Sequence, residues 1–322
     1  MFNKMNKIFP SIDVAGHLQV VVIVIFSILV ASSVLFAFWK KAKPGELIDE
    51  MIIRLRSWWV ICIIFLFATL SGPMATCIGL GVLSFLALRE IYTHLKLRKT
   101  DRVALLICYL CIPVQYYFAY MGWYNLFLSF IPVFMFIIVP FFMVMSGYEK
   151  HMGRSMGMMT SSLVLSVFGI SHMAILVCHP SLNEDPAMGK GLLLFLIFLT
   201  QINDVMQFTF GKIFGKHKIL PVVSPNKTWE GFLGGLIGTS VVGYYMGFLT
   251  PLDQGWNLVL LSFSVALFGF IGDAIVSAIK RDFGIKDMGD SIPGHGGYLD
   301  RIDSLTTSAS PFFHIVYLML LV

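Results

Sequence analysis

A chain of 322 residues that is 57% hydrophobic and only 13% charged, with a mean hydropathy of +0.82, carries more apolar surface than one water-surrounded core can hide. This composition excludes an ordinary soluble domain and makes lipid the solvent for most of the chain. The net charge of +5 does not point to nucleic acid, because the basic residues sit in short loops between apolar runs, where topology and anionic headgroups account for them.

A bilayer-spanning helix needs about 20 apolar residues. The sequence predicts about ten such spans, at 17–39, 57–71, 74–92, 103–120, 123–145, 156–178, 191–211, 229–250, 256–279 and 305–322, and so an all-α, polytopic integral membrane protein. The first span is too long for the apolar core of a signal peptide and lacks a strongly basic start, so it is expected to remain as a helix of the mature protein. Only Ser71-Gly72-Pro73 separates the second span from the third, which leaves a tight hairpin and a single re-entrant feature both open. Cys62, Cys77, Cys108, Cys111 and Cys178 all fall in or beside apolar segments. They read as packing residues, with neither a disulfide framework nor a zinc site.

With both termini outward, the loops at 40–56, 89–102, 146–155, 211–228 and 280–303 hold all the Lys and Arg residues except Lys4, Lys7 and Lys190. That alternation predicts a cytoplasmic side for these loops. Residues 1–180 are aliphatic, aromatic and methionine-rich and read as scaffold helices, His172 among them as a hydrogen-bonded packing residue. Residues 181–322 carry the chemistry, within the same structural unit.

Three clusters stand out there. Asn203, Asp204, Gln207 and Gly211 form a polar stripe along the seventh span, where a charge must face protein or water; an interhelical hydrogen-bond ladder would use the same residues. Ser224-Pro-Asn-Lys227-Thr228 precedes the eighth span, with Ser224 as the expected N-cap and Pro225 at the first helical position. Free backbone N–H groups, a hydroxyl and an ammonium group would then converge on a phosphate. A capped helix with an interfacial Trp229 and a snorkelling Lys227 is the plainer alternative. The third cluster runs from Gly272 to Ser304. Asp273, Ser277, Lys280 and Arg281 share a helix face, and Lys286, Asp287 and a Pro-Gly-His-Gly-Gly turn follow. Asp300, Arg301 and Asp303 then open the last span. So many acids and bases beside a membrane suit phosphates together with a hard divalent cation. Asp273 and Asp300 are candidate Mg²⁺ ligands, and His295 alone is too little for zinc.

The run Ser277-x-x-Lys280-Arg281-x₄-Lys286-Asp287-x-Gly289-x₂-Ile292-Pro293-x-His295-Gly296-Gly297-x₂-Asp300-Arg301-x-Asp303 resembles the signature of phosphatidate cytidylyltransferases, also called CDP-diacylglycerol synthases. The resemblance covers residues 190–310, including SPNKTWEGFLGG and the Asn203-Asp204 helix. Tyr298 stands where the family usually has an aliphatic residue, and Gln201-Ile-Asn203-Asp204 replaces an Ala-Asp-Ser type block, as in a divergent bacterial paralogue. The resemblance implies a phospholipid-synthesising enzyme of the bacterial inner membrane, a homodimer with a cavity open to cytoplasm and inner leaflet. It also implies a paired-metal site where Asp273 and Asp300 meet, with Mg²⁺ and a second cation such as K⁺.

The expected reaction is in-line attack of a phosphatidic acid phosphate oxygen on the α-phosphorus of CTP. Asp273 and Asp300 are expected on the metal, with Asp303 and Asp204 beside them. Lys227, Lys280, Arg281 and Arg301 would bind phosphates, and Ser224, Thr228, Asn203, Lys286, Asp287, His295, Gly296 and Gly297 would line the substrate site. Rival readings are a CTP-dependent isoprenoid kinase, a cytidylyltransferase for another lipid phosphate, and a secondary transporter. Polar breaks confined to one end of the chain count against transport.

Overall fold

The computed structural model describes residues 14–95, 98–147, 152–182, 185–253 and 255–321. Lys4, Lys7, Lys96 and Lys150, which belong to the charge alternation of the sequence, lie outside the described residues. Among the described residues the chain forms long helices α1 (Val14–Ala42), α2 (Glu46–Leu70), α3 (Pro73–His94), α4 (Arg102–Met121), α5 (Tyr124–Met145) and α6 (Met152–Cys178). These are followed by α7 (Pro186–Phe214), α8 (Trp229–Tyr245), α9 (Trp256–Asp282) and α10 (Leu299–Leu321). A small antiparallel ribbon, β1 (Lys218–Leu220) with β2 (Ser224–Thr228), joins α7 to α8. Helices α1 to α9 are long and apolar enough to cross a membrane. The last, α10, becomes apolar only beyond the first turns that carry Asp300, Arg301 and Asp303.

The chain is an all-α polytopic membrane protein, and its surface shows lipid as the solvent. Phe67 is 72% exposed and Phe38 68%, contacts that would be costly in water. Burial is graded: 78% of the apolar window of α6 is buried, against 6% in α1 and in α2, so α6 is the central helix and α1–α2 a peripheral hairpin. Small side chains let neighbours approach α6 closely. A Cβ on Gly169 would lie 1.9 Å from the Thr306 carbonyl of α10, and one on Gly189 of α7 would lie 2.4 Å from the Leu176 carbonyl. Ser162 and Ser166 donate to carbonyls one turn back, at 2.6 Å each, so that neither hydroxyl is left unpaired in the apolar interior. The helix widens into a π turn at Val164–Gly169, where it meets α10, and α5 does so at Phe130–Met135, around Pro132.

Of the two readings of Ser71-Gly72-Pro73, the structure takes the hairpin. Gly72 adopts φ +121°, which only glycine holds without strain, and Pro73 starts α3. The Thr76 hydroxyl ties the turn by donating to Ala68 and Gly72 carbonyls at 3.1 Å. The cysteines are free thiols; Cys77 and Cys178 touch at 3.3 Å between α3 and α6. His172 is fully buried among Phe127, Phe168 and Phe313 and hydrogen-bonded to the Phe168 carbonyl and Ser310.

One apolar core runs from Leu88 of α3 through Leu163 of α6 to Phe195 of α7 and Phe312 of α10. Within it α7, α8, α9 and α10 make the most extensive mutual contacts, and they carry the polar clusters to one end of the bundle.

Candidate active site

The β1–β2 ribbon brings the first cationic group. Backbone pairing of Lys218 with Thr228 and of Leu220 with Ser224 draws Ser224 into a strand, so the expected N-cap at Ser224 is corrected. Pro225 is tolerated because a two-stranded ribbon leaves edge positions without ladder bonds. The helix begins four residues later, with Thr228 as N-cap: its hydroxyl accepts from Gly231 N–H at 3.1 Å. Lys227, just before the cap, is thereby aimed inward. Its ammonium meets Asp273 Oδ2 at 2.5 Å and lies 4.5 Å from the centre of the Phe270 ring.

Asp273 lies on α9, one residue after a point of backbone contact. A Cβ on Gly272 would sit 2.0 Å from Thr307 Oγ1 and 2.6 Å from the Asp303 carbonyl, so α9 and α10 press together there. That contact gathers three acids: Asp273 is within electrostatic reach of Asp204 of α7 and Asp303 of α10, and those two of each other. Ser277 donates to Asp273 Oδ1 at 3.1 Å, and the Ser304 hydroxyl reaches the Asp204 carboxylate at 3.3 Å. Asn203 has partners other than the acids. Fully buried, it donates to the Ala266 carbonyl of α9 at 3.3 Å, and its oxygen faces Thr239 of α8. It is therefore a bridge between helices, as in the hydrogen-bond ladder. Gly272→Ala should push α9 from α10, cost about 1–3 kcal/mol in detergent-solubilised thermal unfolding, and lower activity by separating the acids.

Asp300 has other partners. Its Oδ1 takes Lys280 at 3.0 Å, and its Oδ2 accepts Met288 N–H at 2.8 Å and Gly297 N–H at 3.0 Å. With the carboxylate 2% exposed and both oxygens engaged, the acid braces the loop between α9 and α10. Asp273 and Asp300 thus occupy separate ion pairs, and the carboxylates that share the surroundings of Asp273 are Asp204 and Asp303. Arg281 is also a brace: it donates to the carbonyls of Val223 at the ribbon tip and Ile285. Arg301, Lys286 and Asp287 are exposed, and the charge of Arg301 reaches Asp204 and His295.

The glycine turn itself is pinned by an Ile292–Gly296 bridge, with Gly294 at φ +74° and Gly296 at φ +90°. His295 packs edge-on against Trp58 of α2, and its partial burial lowers the imidazole pKa, assisted by Arg301 and Arg54. That shift favours the uncharged imidazole over the cation. The same loop rests on residues of the first half of the chain, where the sequence suggests scaffold alone. The Ser57 hydroxyl donates to the Pro293 carbonyl at 2.8 Å, and His94 Nε2 meets the Met288 carbonyl at 2.8 Å. Buried Glu90 accepts from the Ser291 hydroxyl and from Tyr298 and Leu299 N–H, at 2.9–3.0 Å. The signal in the sequence is Glu90 itself, an acid in the last turn of an apolar span.

The sequence profile of the family described as "Cytidylyltransferase family" matches residues 52–320. The chain belongs to this cytidylyltransferase family. Its matched region starts within α2, so it takes in Ser57, Glu90 and His94 as well as the ribbon and the acids, and leaves α1 outside. The chain is 36% identical over 294 residues to a protein of Escherichia coli (strain K12) named "Uncharacterized protein YnbB", covering 91% of this chain and 96% of that one. It is 42% identical over 124 residues to the phosphatidate cytidylyltransferase of Staphylococcus saprophyticus (38% of this chain, 48% of the relative). Against that of Staphylococcus haemolyticus the figures are 44% over 117 residues (36% and 45%). The match to these two enzymes thus spans about half their length. Family membership makes this membrane protein a nucleotidyltransferase.

Proposed function

We propose that this cytidylyltransferase-family protein uses CTP and phosphatidic acid to form CDP-diacylglycerol and pyrophosphate. One observation carries the reading: three carboxylates and a cluster of cationic side chains are packed at one end of a lipid-embedded bundle. A reaction joining a soluble triphosphate to a lipid phosphate needs charges of both signs at that depth. The partial relatives named phosphatidate cytidylyltransferase support the choice of acceptor. The distribution of basic loops supports a cytoplasmic face of a bacterial inner membrane, and a homodimer is the proposed assembly.

A phosphate oxygen of the lipid forms the new bond to the α-phosphorus as the bond to the β-phosphate oxygen breaks, and pyrophosphate leaves with the electron pair. The nucleophile is already an anion, so alignment and charge neutralisation are what the protein supplies. Asp273, Asp204 and Asp303 offer hard oxygen donors that repel one another, and the Lys227 ammonium lies where they demand positive charge. Such hard oxygen donors suit Mg²⁺, an ion held by one or two carboxylates and completed by water and substrate oxygens. When bound there, Mg²⁺ would neutralise developing phosphate charge. In this reading Asp273 is the principal ligand, Asp303 and Asp204 stand beside it, and Asp300 serves the loop. Lys227 and Arg301 hold phosphate oxygens, with Lys280 fixing Asp300.

The test offers purified protein CTP, Mg²⁺ and, separately, phosphatidic acid, a polyprenyl phosphate and an isoprenoid alcohol, with products read by mass spectrometry. CDP-diacylglycerol formed from phosphatidic acid and lost on chelation is expected. A cytidylylated product from polyprenyl phosphate alone, or a phosphorylated alcohol with CDP, would overturn the proposal.

A further inference from the structure

We infer that Glu90, near the end of α3, is the positioning residue for the nucleotide-facing loop 288–299 and for the first turn of α10, which makes the first half of the chain part of the active site. This inference rests on the nucleotidyl-transfer reading of the site. Glu90 is 5% exposed, and a carboxylate so buried is costly unless its oxygens are satisfied. Its partners lie about 200 positions further along the chain: the Ser291 hydroxyl and Tyr298 N–H on Oε1, and Leu299 N–H on Oε2. Leu299 begins α10, so Glu90 caps that helix from a neighbouring one, accepting N–H groups that its first turn leaves unpaired, where the helix dipole favours negative charge.

Two carboxylates therefore hold the loop, Asp300 through Met288 and Gly297, and Glu90 through Ser291, Tyr298 and Leu299. The glycines follow from this arrangement. A Cβ on Gly297 would sit 2.7 Å from Glu90 Oε2, and one on Gly289 would sit 3.3 Å from Oε1. Because Asp300, Arg301 and Asp303 all lie in the first turns of α10, the rotation of that helix sets where each points. Glu90 acts on the reaction through them.

The test is Glu90→Gln, which keeps the volume but turns an amide NH₂ toward N–H donors, in full-length protein purified in detergent. Hydrogen exchange over 288–303 should accelerate about tenfold or more, with α7 amides unchanged. In the same preparations KM for CTP should rise about tenfold while KM for phosphatidic acid stays within about twofold; global unfolding would lower the active fraction and leave both KM values alone. Should Glu90→Gln not accumulate, Ser57→Ala, which releases the Pro293 carbonyl and a longer bond to the Ile53 carbonyl one turn back in α2, should move both readouts the same way to a smaller degree. Unchanged exchange over 288–303, or lost activity with both KM values unaltered, would overturn the assignment. If the wild-type protein makes no CDP-diacylglycerol, the reaction reading fails, and the exchange comparison still decides whether Glu90 holds the loop.

Discussion

Asp273→Asn is expected to lower CTP-dependent product formation by on the order of a thousandfold while leaving the protein folded in the membrane. The asparagine keeps the shape of the side chain and the oxygen that accepts the Ser277 hydroxyl. What disappears is the charge that the proposal assigns to the metal. Lys227 loses its closest partner, yet Asp204 remains within its electrostatic reach and the Phe270 ring still lies beneath it. Removing one of three mutually repelling carboxylates offsets part of that loss. The melting temperature in detergent should therefore stay near that of the wild type. Turnover near the wild-type level in purified Asp273→Asn would remove the metal assignment.

Asp300→Asn should fail differently, losing activity and stability together. An amide in this place sets NH₂ against either Lys280 or the N–H groups of Met288 and Gly297, and it leaves a mostly buried ammonium without its counter-charge. Breaking a buried pair in this way costs about 3–5 kcal/mol. The two aspartates, both candidate Mg²⁺ ligands by sequence, are thus separable by thermal unfolding: a large loss for Asp300 and a small one for Asp273. Equal melting temperatures for the two variants would contradict the division between a loop brace and a metal ligand.

Apolar length was the strongest signal in the sequence, because a helix surrounded by lipid must be apolar over its whole span. The glycine and proline of Ser71-Gly72-Pro73 marked the turn, but only the φ of Gly72 and the Thr76 bonds separate a hairpin from a re-entrant segment. Ser224-Pro225 carries the cap signature of a helix, and the ribbon overrides it: Ile219 and Leu220 form too short a run to announce a strand, and the pairing of Leu220 with Ser224 exists only in three dimensions. The acids Asp204, Asp273, Asp300 and Asp303 were legible as a group. Which of them share a site was not, since that depends on the backbone contact at Gly272 and on loop N–H groups that a sequence does not aim. Glu90 escaped for a related reason. Two of its partners are main-chain groups and the third is the Ser291 hydroxyl, all far away in the chain, so no complementary charge pointed to it.

The most direct test follows the phosphorus of CTP labelled at either the α or the γ position, with purified protein, Mg²⁺ and phosphatidic acid. Nucleotidyl transfer predicts α-label in the lipid product and γ-label in pyrophosphate. Appearance of γ-label in the lipid, with the α-label left in CDP, would contradict it.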